Sequence, residues 1–160
     1  MVLTPESAKR SHYELQDIIE SQASDSLSIT AIVLPVRQFN DWLGCGHPFV
    51  LKVFTRALLC YDAGNNPLSG PGQRDKESII EELQQEFDRH CGLAAEFFAG
   101  TELFVTRKNY RMAAFNLHQA AEQTYAGIIH FLSGWRVQTH SLDKLCRYAQ
   151  YLLPGLAELF

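Results

Sequence analysis

Arg111, His118 and Tyr125 stand seven residues apart in a stretch patterned as a helix, and Glu122 falls between the last two. A seven-residue step drifts only about 20° from the starting face of an α-helix, and Glu122 lies about 40° from His118. One side of the helix therefore carries a guanidinium, an imidazole, a carboxylate and a phenol beside its apolar stripe. Such groups suit a nucleotide, the cations holding phosphate and the ring systems a base. The bland alternative is an i,i+4 hydrogen bond between His118 and Glu122 at the edge of a packing seam. Further basic residues gather where the chain turns: Arg107, Lys108 and Arg111 at one place, Arg136, His140, Lys144 and Arg147 at another. Cations at a helix N-terminus oppose the helix dipole, which points to a use other than stability. A merely solvated surface is the competing reading. Trp135, next to Arg136, is placed either to stack on a base or to plug the end of a helical bundle.

Other chemistries find less support. The six histidines contain no HxH and no HExxH arrangement. His90 and Cys91 are neighbours, and adjacent helical side chains diverge by about 100°, so the pair cannot chelate together. No metal site and no cofactor are expected from these patterns. Neither GxGxxG nor a P-loop is present. The four cysteines, Cys45, Cys60, Cys91 and Cys146, are widely spaced without a CxxC pair. Met1–Ser11 lacks the apolar core of a secretory signal, and no apolar run reaches the roughly 18 residues needed to span a bilayer. Free thiols in an unexported chain imply the reducing cytoplasm, with no membrane partner. A net charge of -4 disfavours coating of nucleic acid by a basic surface, though not a local phosphate-binding lip.

These candidate groups need elements to position them. At 160 residues, 46% hydrophobic and 20% charged, the chain is an ordinary globular one with material for a real core. Its texture breaks at Asp62–Gly72, where Gly64, Gly70, Gly72, Pro67 and Pro71 supply turns and cannot continue a helix. The break divides the chain into residues 1–72 and 73–160. In the first part, the spacing predicts a short helix over Tyr13–Ser21 and a buried strand over Leu27–Val36, ending at Pro35. A turn or two of helix follows over Arg37–Leu43, then a helix over His47–Arg56 opened by Pro48, then a second strand at Ala57–Tyr61. Two strands are few for an α/β domain, so this part reads as a fragment of a larger one. In the second part, two long helices are predicted over Glu77–Val105 and Asn109–Leu132, and their short link makes them antiparallel neighbours. Gly134 stops the second helix. Thr139 or Ser141 caps a third over Leu142–Leu153, and a fourth would begin at Gly155. Three helices and a stub leave one apolar face in need of cover.

The run Tyr110–Leu145, YRMAAFNLHQAAEQTYAGIIHFLSGWRVQTHSLDKL, resembles the HEPN domain. That family carries an A-x-F-x-L-H-Q-A-x-E-x-x-Y type run on its long helix, followed by a T-H-x-L-x-x-L turn. Ala113 or Ala114, Phe115, Leu117 to Ala120, Glu122, Tyr125, Thr139, His140 and Leu142 supply the match, which covers roughly residues 77–160. The first part more loosely resembles the back end of a minimal nucleotidyltransferase, through Thr30–Val33, Phe39-Asn40, Gly46, Pro48-Phe49, Val53, Leu59, Tyr61-Asp62 and Pro67-Leu68. It lacks the Gly-Ser and the Asp-x-Asp pair with which that family holds metal and triphosphate, so nucleotidyl transfer by this chain is not expected. Ribonuclease-active HEPN proteins carry an Arg-x(4-6)-His motif late in the domain. Arg111 and His118 have that spacing but lie in the wrong helix.

The expectation is thus an α+β, mostly α chain: an up-and-down, antiparallel HEPN-like bundle behind a small N-terminal α/β fragment. The resemblance implies a nucleotide- or RNA-binding module that works with a partner, in a toxin–antitoxin or stress setting, with no self-contained catalytic residues. Arg111, His118, Glu122 and Tyr125 would line the ligand face, with Arg136 and His140 at its rim. The partner would be a second copy or a paired nucleotidyltransferase subunit. Two alternatives stand beside it. One is a metal-independent endoribonuclease at a dimer interface, with His118 as acid/base and Arg111 as phosphate clamp. The other is a pure interaction module.

Overall fold

The computed structural model describes residues 1–23, 29–64, 66–153 and 155. The chain falls into two compact units, Met1–Arg74 and Asp75–Phe160. Among the described residues it is mostly helical, with six helices and one two-stranded sheet.

The first unit is built on strand β1 (Val2–Thr4), helix α1 (His12–Ala23) and strand β2 (Val33–Pro35). The strands pair in parallel, Val2 with Val33, Leu3 with Leu34 and Thr4 with Pro35. A parallel pair needs a crossover between its strands, and α1 lies within it. Ser11 opens α1 as one half of a capping box: its hydroxyl accepts from the Glu14 amide (3.2 Å), and the Glu14 carboxylate accepts from the Ser11 amide (2.9 Å). Hydrogen bonding to the carboxylate from the Ser11 amide, and then from the Ser11 side chain, holds the Glu14 carboxyl below its ordinary range. Helices α2 (Val36–Gly44) and α3 (Pro48–Arg56) follow. They bury Phe39, Leu43, Phe49 and Val50, while Ala31, Val33 and Leu34 are buried in and just before β2. Pro48 sits in the first turn of α3, where its missing N–H costs no helical bond.

Two expectations for this unit need correction. The strand predicted over Leu27–Val36 is confined to Val33–Pro35, its first two positions lying outside the described residues. The partner strand has three residues, so the ladder has nothing further to pair with. The second strand predicted at Ala57–Tyr61 is not one: the segment is irregular, and Leu58, Leu59 and Tyr61 are 87%, 75% and 82% exposed. The strand that does pair with β2 is Val2–Thr4, too short to show a period. Asn40 fastens the segment that follows, donating from Nδ2 to the Pro67 carbonyl (3.1 Å) and accepting at Oδ1 from the Ser69 amide (2.8 Å). Gly72 donates its N–H to the Leu43 carbonyl (2.8 Å). Any Cβ there would lie 2.0 Å from the Gly44 carbonyl oxygen, so only glycine fits.

The second unit contains α4 (Lys76–Thr106), α5 (Tyr110–Ser133) and α6 (Leu142–Leu152). Each begins at a side-chain cap: Asp75 accepts from the Ser78 amide, Asn109 from Met112 and Ser141 from Lys144. Of the two caps foreseen for α6, Ser141 is the one used, and Thr139 accepts instead from the Ser141 amide (3.3 Å). Gly134 ends α5 in the left-handed conformation, φ 75°, which glycine adopts without penalty. Helices α4 and α5 run antiparallel, since Gly127 meets His90, Gly100 meets Asn116, and Phe87 packs on Phe131 with ring centroids 5.2 Å apart. A core of Ile129, Leu145, Tyr148 and Ala149 joins α5 to α6, with Trp135 and Val137 packed on it. Trp135 is thus partly buried against this core. No residue of α4 is fully buried. Of the fourth helix expected from Gly155, only Gly155 is described. No helix among the described residues is long and apolar enough to cross a membrane.

Candidate functional site

Two polar clusters form on the second unit. The first is centred on Glu122, the one buried carboxylate among the described residues, at 8% exposure. It lies on α5 seven residues before Ile129, so the two share a helical face, and Ile129 is buried in the core with α6. An ionised carboxylate inside a protein is strongly destabilising unless its oxygens are bonded. Here Oε1 is 2.8 Å from His140 Nδ1, and Oε2 accepts from Gln119 Nε2 (3.2 Å) with His118 Nε2 at 3.9 Å. The anchor is buried and the two imidazoles it gathers face solvent, their side chains 43% exposed for His118 and 88% for His140. Because the carboxylate accepts, His140 carries a proton on Nδ1, which leaves Nε2 for solvent or a ligand. The i,i+4 hydrogen bond foreseen between His118 and Glu122 is replaced by a looser approach. His140, from the connection between α5 and α6, takes the closer oxygen.

The six residues expected to line one ligand face are thus divided. His118, Glu122 and His140 come together. Arg111, in the first turn of α5, is exposed and makes no ion pair among the described residues. Tyr125 turns toward α6, where a hydrogen bond with the Cys146 thiol, and then burial, push its phenol above the ordinary range. Arg136 lies on the second cluster, its Nη2 3.5 Å from Glu86 Oε2.

That second cluster comprises Glu86 and His90 of α4 and His130 of α5. Each offers one ligand atom, and the three atoms lie within 4.8 Å of one another. Glu86 also pairs with Arg89 at 2.9 Å. The Arg89 hydrogen bond, aided by the charges of Arg136, Arg89 and His130, holds the Glu86 carboxyl below its usual range. His90 Nδ1 is 2.8 Å from Gln123 Oε1, an acceptor, so this histidine too carries its proton on Nδ1. A search for HxH or HExxH cannot find such a group, because its donors come from two helices. The signal present in the sequence was Glu86 and His90, four apart on one helical face.

All four cysteines are free, with Cys45, Cys60 and Cys91 exposed and Cys146 partly so. Comparison with protein-family models, with curated proteins and with solved structures finds no match to this chain.

Proposed function

We propose that the chain is a HEPN-type helical module that binds the phosphate of a nucleotide or of RNA and works with a partner rather than catalysing a reaction alone. The observation that carries this reading is Glu122, a buried carboxylate whose bonds set two solvent-facing imidazoles side by side. A carboxylate behind an imidazole fixes ring orientation and tautomer, so less freedom is lost when the outer nitrogen meets a ligand. A protonated His140 donates Nε2–H to a phosphate oxygen while Glu122 keeps Nδ1–H. His118 supplies a second donor on the preceding turns of α5. The resemblance of Tyr110–Leu145 to HEPN domains supports the same face.

The test is calorimetric titration with ATP and with a short single-stranded RNA, using the wild type, His118→Ala, His140→Ala and Glu122→Gln. Loss of one charge-assisted bond weakens binding by roughly tenfold or more. Unchanged affinity in both histidine variants refutes the assignment. RNA fragments that appear in EDTA and vanish in His140→Ala would make the cluster that of a ribonuclease instead.

A second reading is favoured by a separate observation. Ile80, Phe98 and Val105 of α4 are 62%, 52% and 49% exposed. Eighteen residues make five helical turns, and seven more drift by only about 20°, so the three share one side of α4, with Ile80 roughly 27 Å along the axis from Phe98. Exposed apolar residues so placed fit pairing with a second copy or a separate subunit. A dimer that binds neither ATP nor RNA would leave interaction as the function.

A further inference from the structure

We propose that Glu86, His90 and His130 form a site for a divalent transition-metal ion of the zinc class, bound across the α4–α5 seam with a coordination position open to solvent or an anion. Two imidazoles and a carboxylate are a donor set that zinc and its neighbours take readily, three protein ligands leaving room for a fourth. Glu86 and His90 lie one helical turn apart on α4, and the antiparallel register brings His130 of α5 against them. Gly127 sets the close approach, since it faces His90 Cβ directly one turn before His130. The three ligand atoms lie within 4.8 Å of one another. Ligands on a tetrahedral ion with bonds of ~2.1 Å sit roughly 3.4 Å apart. The donors thus close by about 1.4 Å at most, a distance on the scale of small side-chain rotations.

Two details of the cluster suit a metal. Gln123 Oε1 accepts from His90 Nδ1 at 2.8 Å, the outer bond that ligating histidines commonly make, and it leaves the Nε2 lone pair for the ion. A cationic group already stands where the donors converge: Arg89 Nη2 is 2.9 Å from Glu86 Oε2 and 3.3 Å from His90 Nε2. The Arg89 side chain is 51% exposed, so it can swing into solvent when an ion takes its position. Arg136, 3.5 Å from Glu86, is a second cation displaced from the carboxylate, and it stays beside the open position as a partner for an anion there.

The experiment is titration of the chelator-stripped full chain with Zn²⁺ by calorimetry and with Co²⁺ by visible absorption. The wild type should bind one equivalent with a Co²⁺ spectrum of nitrogen and oxygen ligation. Glu86→Gln and His90→Ala, checked for helicity by circular dichroism, should each weaken binding at least tenfold. Arg89→Ala should tighten it, because a competing cation is gone; a merely structural cluster would not show that gain. Cys91→Ser should leave it unchanged. Equal Zn²⁺ affinity in wild type, Glu86→Gln and His90→Ala would overturn the proposal, as would weaker binding in Arg89→Ala or a Co²⁺–thiolate spectrum lost in Cys91→Ser.

Discussion

Substitution of Gly127 by alanine tests how closely α4 and α5 approach, and with it the grouping of Glu86, His90 and His130. In an open helix, glycine to alanine is stabilising by about 1 kcal/mol, since alanine loses less backbone entropy. At Gly127 the new Cβ would lie 2.8 Å from His90 Cβ and 3.4 Å from His90 Cγ. Carbon atoms prefer about 3.5–4.0 Å, so the helices must separate locally by roughly 1 Å. No rotamer change relieves the contact, because a Cβ is fixed to its backbone. Overpacking of this kind costs typically 1–3 kcal/mol, which offsets the helical gain and leaves the variant destabilised by up to about 2 kcal/mol.

Two other glycines calibrate the result. At Gly92, on α4, an added Cβ would meet nothing within 4 Å, so Gly92→Ala should show the full stabilisation. A Cβ at Gly100 would meet Asn116 Oδ1 at 2.7 Å, the end of a side chain that can rotate away by giving up its bond to the Met112 carbonyl. Gly100→Ala should fall between the other two. Native-state hydrogen exchange at the α4 and α5 amides reads all three on one scale, independently of the first unit. The expected order of protection is Gly92→Ala, wild type or Gly100→Ala, then Gly127→Ala. If Gly127→Ala proved as protected as Gly92→Ala, the close approach would be wrong, and the three-donor cluster would lose its geometric basis.

Further outcomes follow from the ends and inner face of the helices. Gly134→Ala places a Cβ in a left-handed backbone (φ 75°) and should lower stability by about 1–2 kcal/mol in urea unfolding; an unchanged midpoint would deny that conformation. Ser141→Ala removes the cap of α6 and should cost about 1 kcal/mol, with faster exchange of the Lys144 amide as its local sign. Tyr125 should ionise above the free-phenol value of 10.0, because its bond to the Cys146 thiol and its burial both favour the neutral form. The raised value means its contribution to stability is whole below pH 10.0 and is lost as pH rises through the folded pKa. Ultraviolet difference titration should show the midpoint falling back in Cys146→Ala; a midpoint that stays put would place Tyr125 elsewhere.

Local chemistry in the sequence determined much of the second unit. The 3–4 spacing along Lys76–Thr106 and Tyr110–Ser133, the caps at Asp75, Asn109 and Ser141, and the stop at Gly134 are decided by neighbours a few residues away. The same holds for the starts of α1, at the Ser11–Glu14 capping box, and of α3, at Pro48. The strands were another matter. A three-residue ladder between Val2–Thr4 and Val33–Pro35 depends on a partner about thirty residues distant, and Ala57–Tyr61 has the composition of a strand without an edge to join. The candidate sites divide along the same line. His118 and Glu122 share a helical face by spacing alone, but that Glu122 is buried, and that His140 rather than His118 takes its nearer oxygen, was decided by the path of the chain from α5 into α6. Arg136, expected at the rim of that face from its place in the basic cluster at the chain turn, pairs in the fold with Glu86. Glu86 and His90 were neighbours by helical geometry, yet their meeting with His130 required the antiparallel register that Gly127 permits. Periodicity reports which face a residue occupies; only packing decides what that face meets.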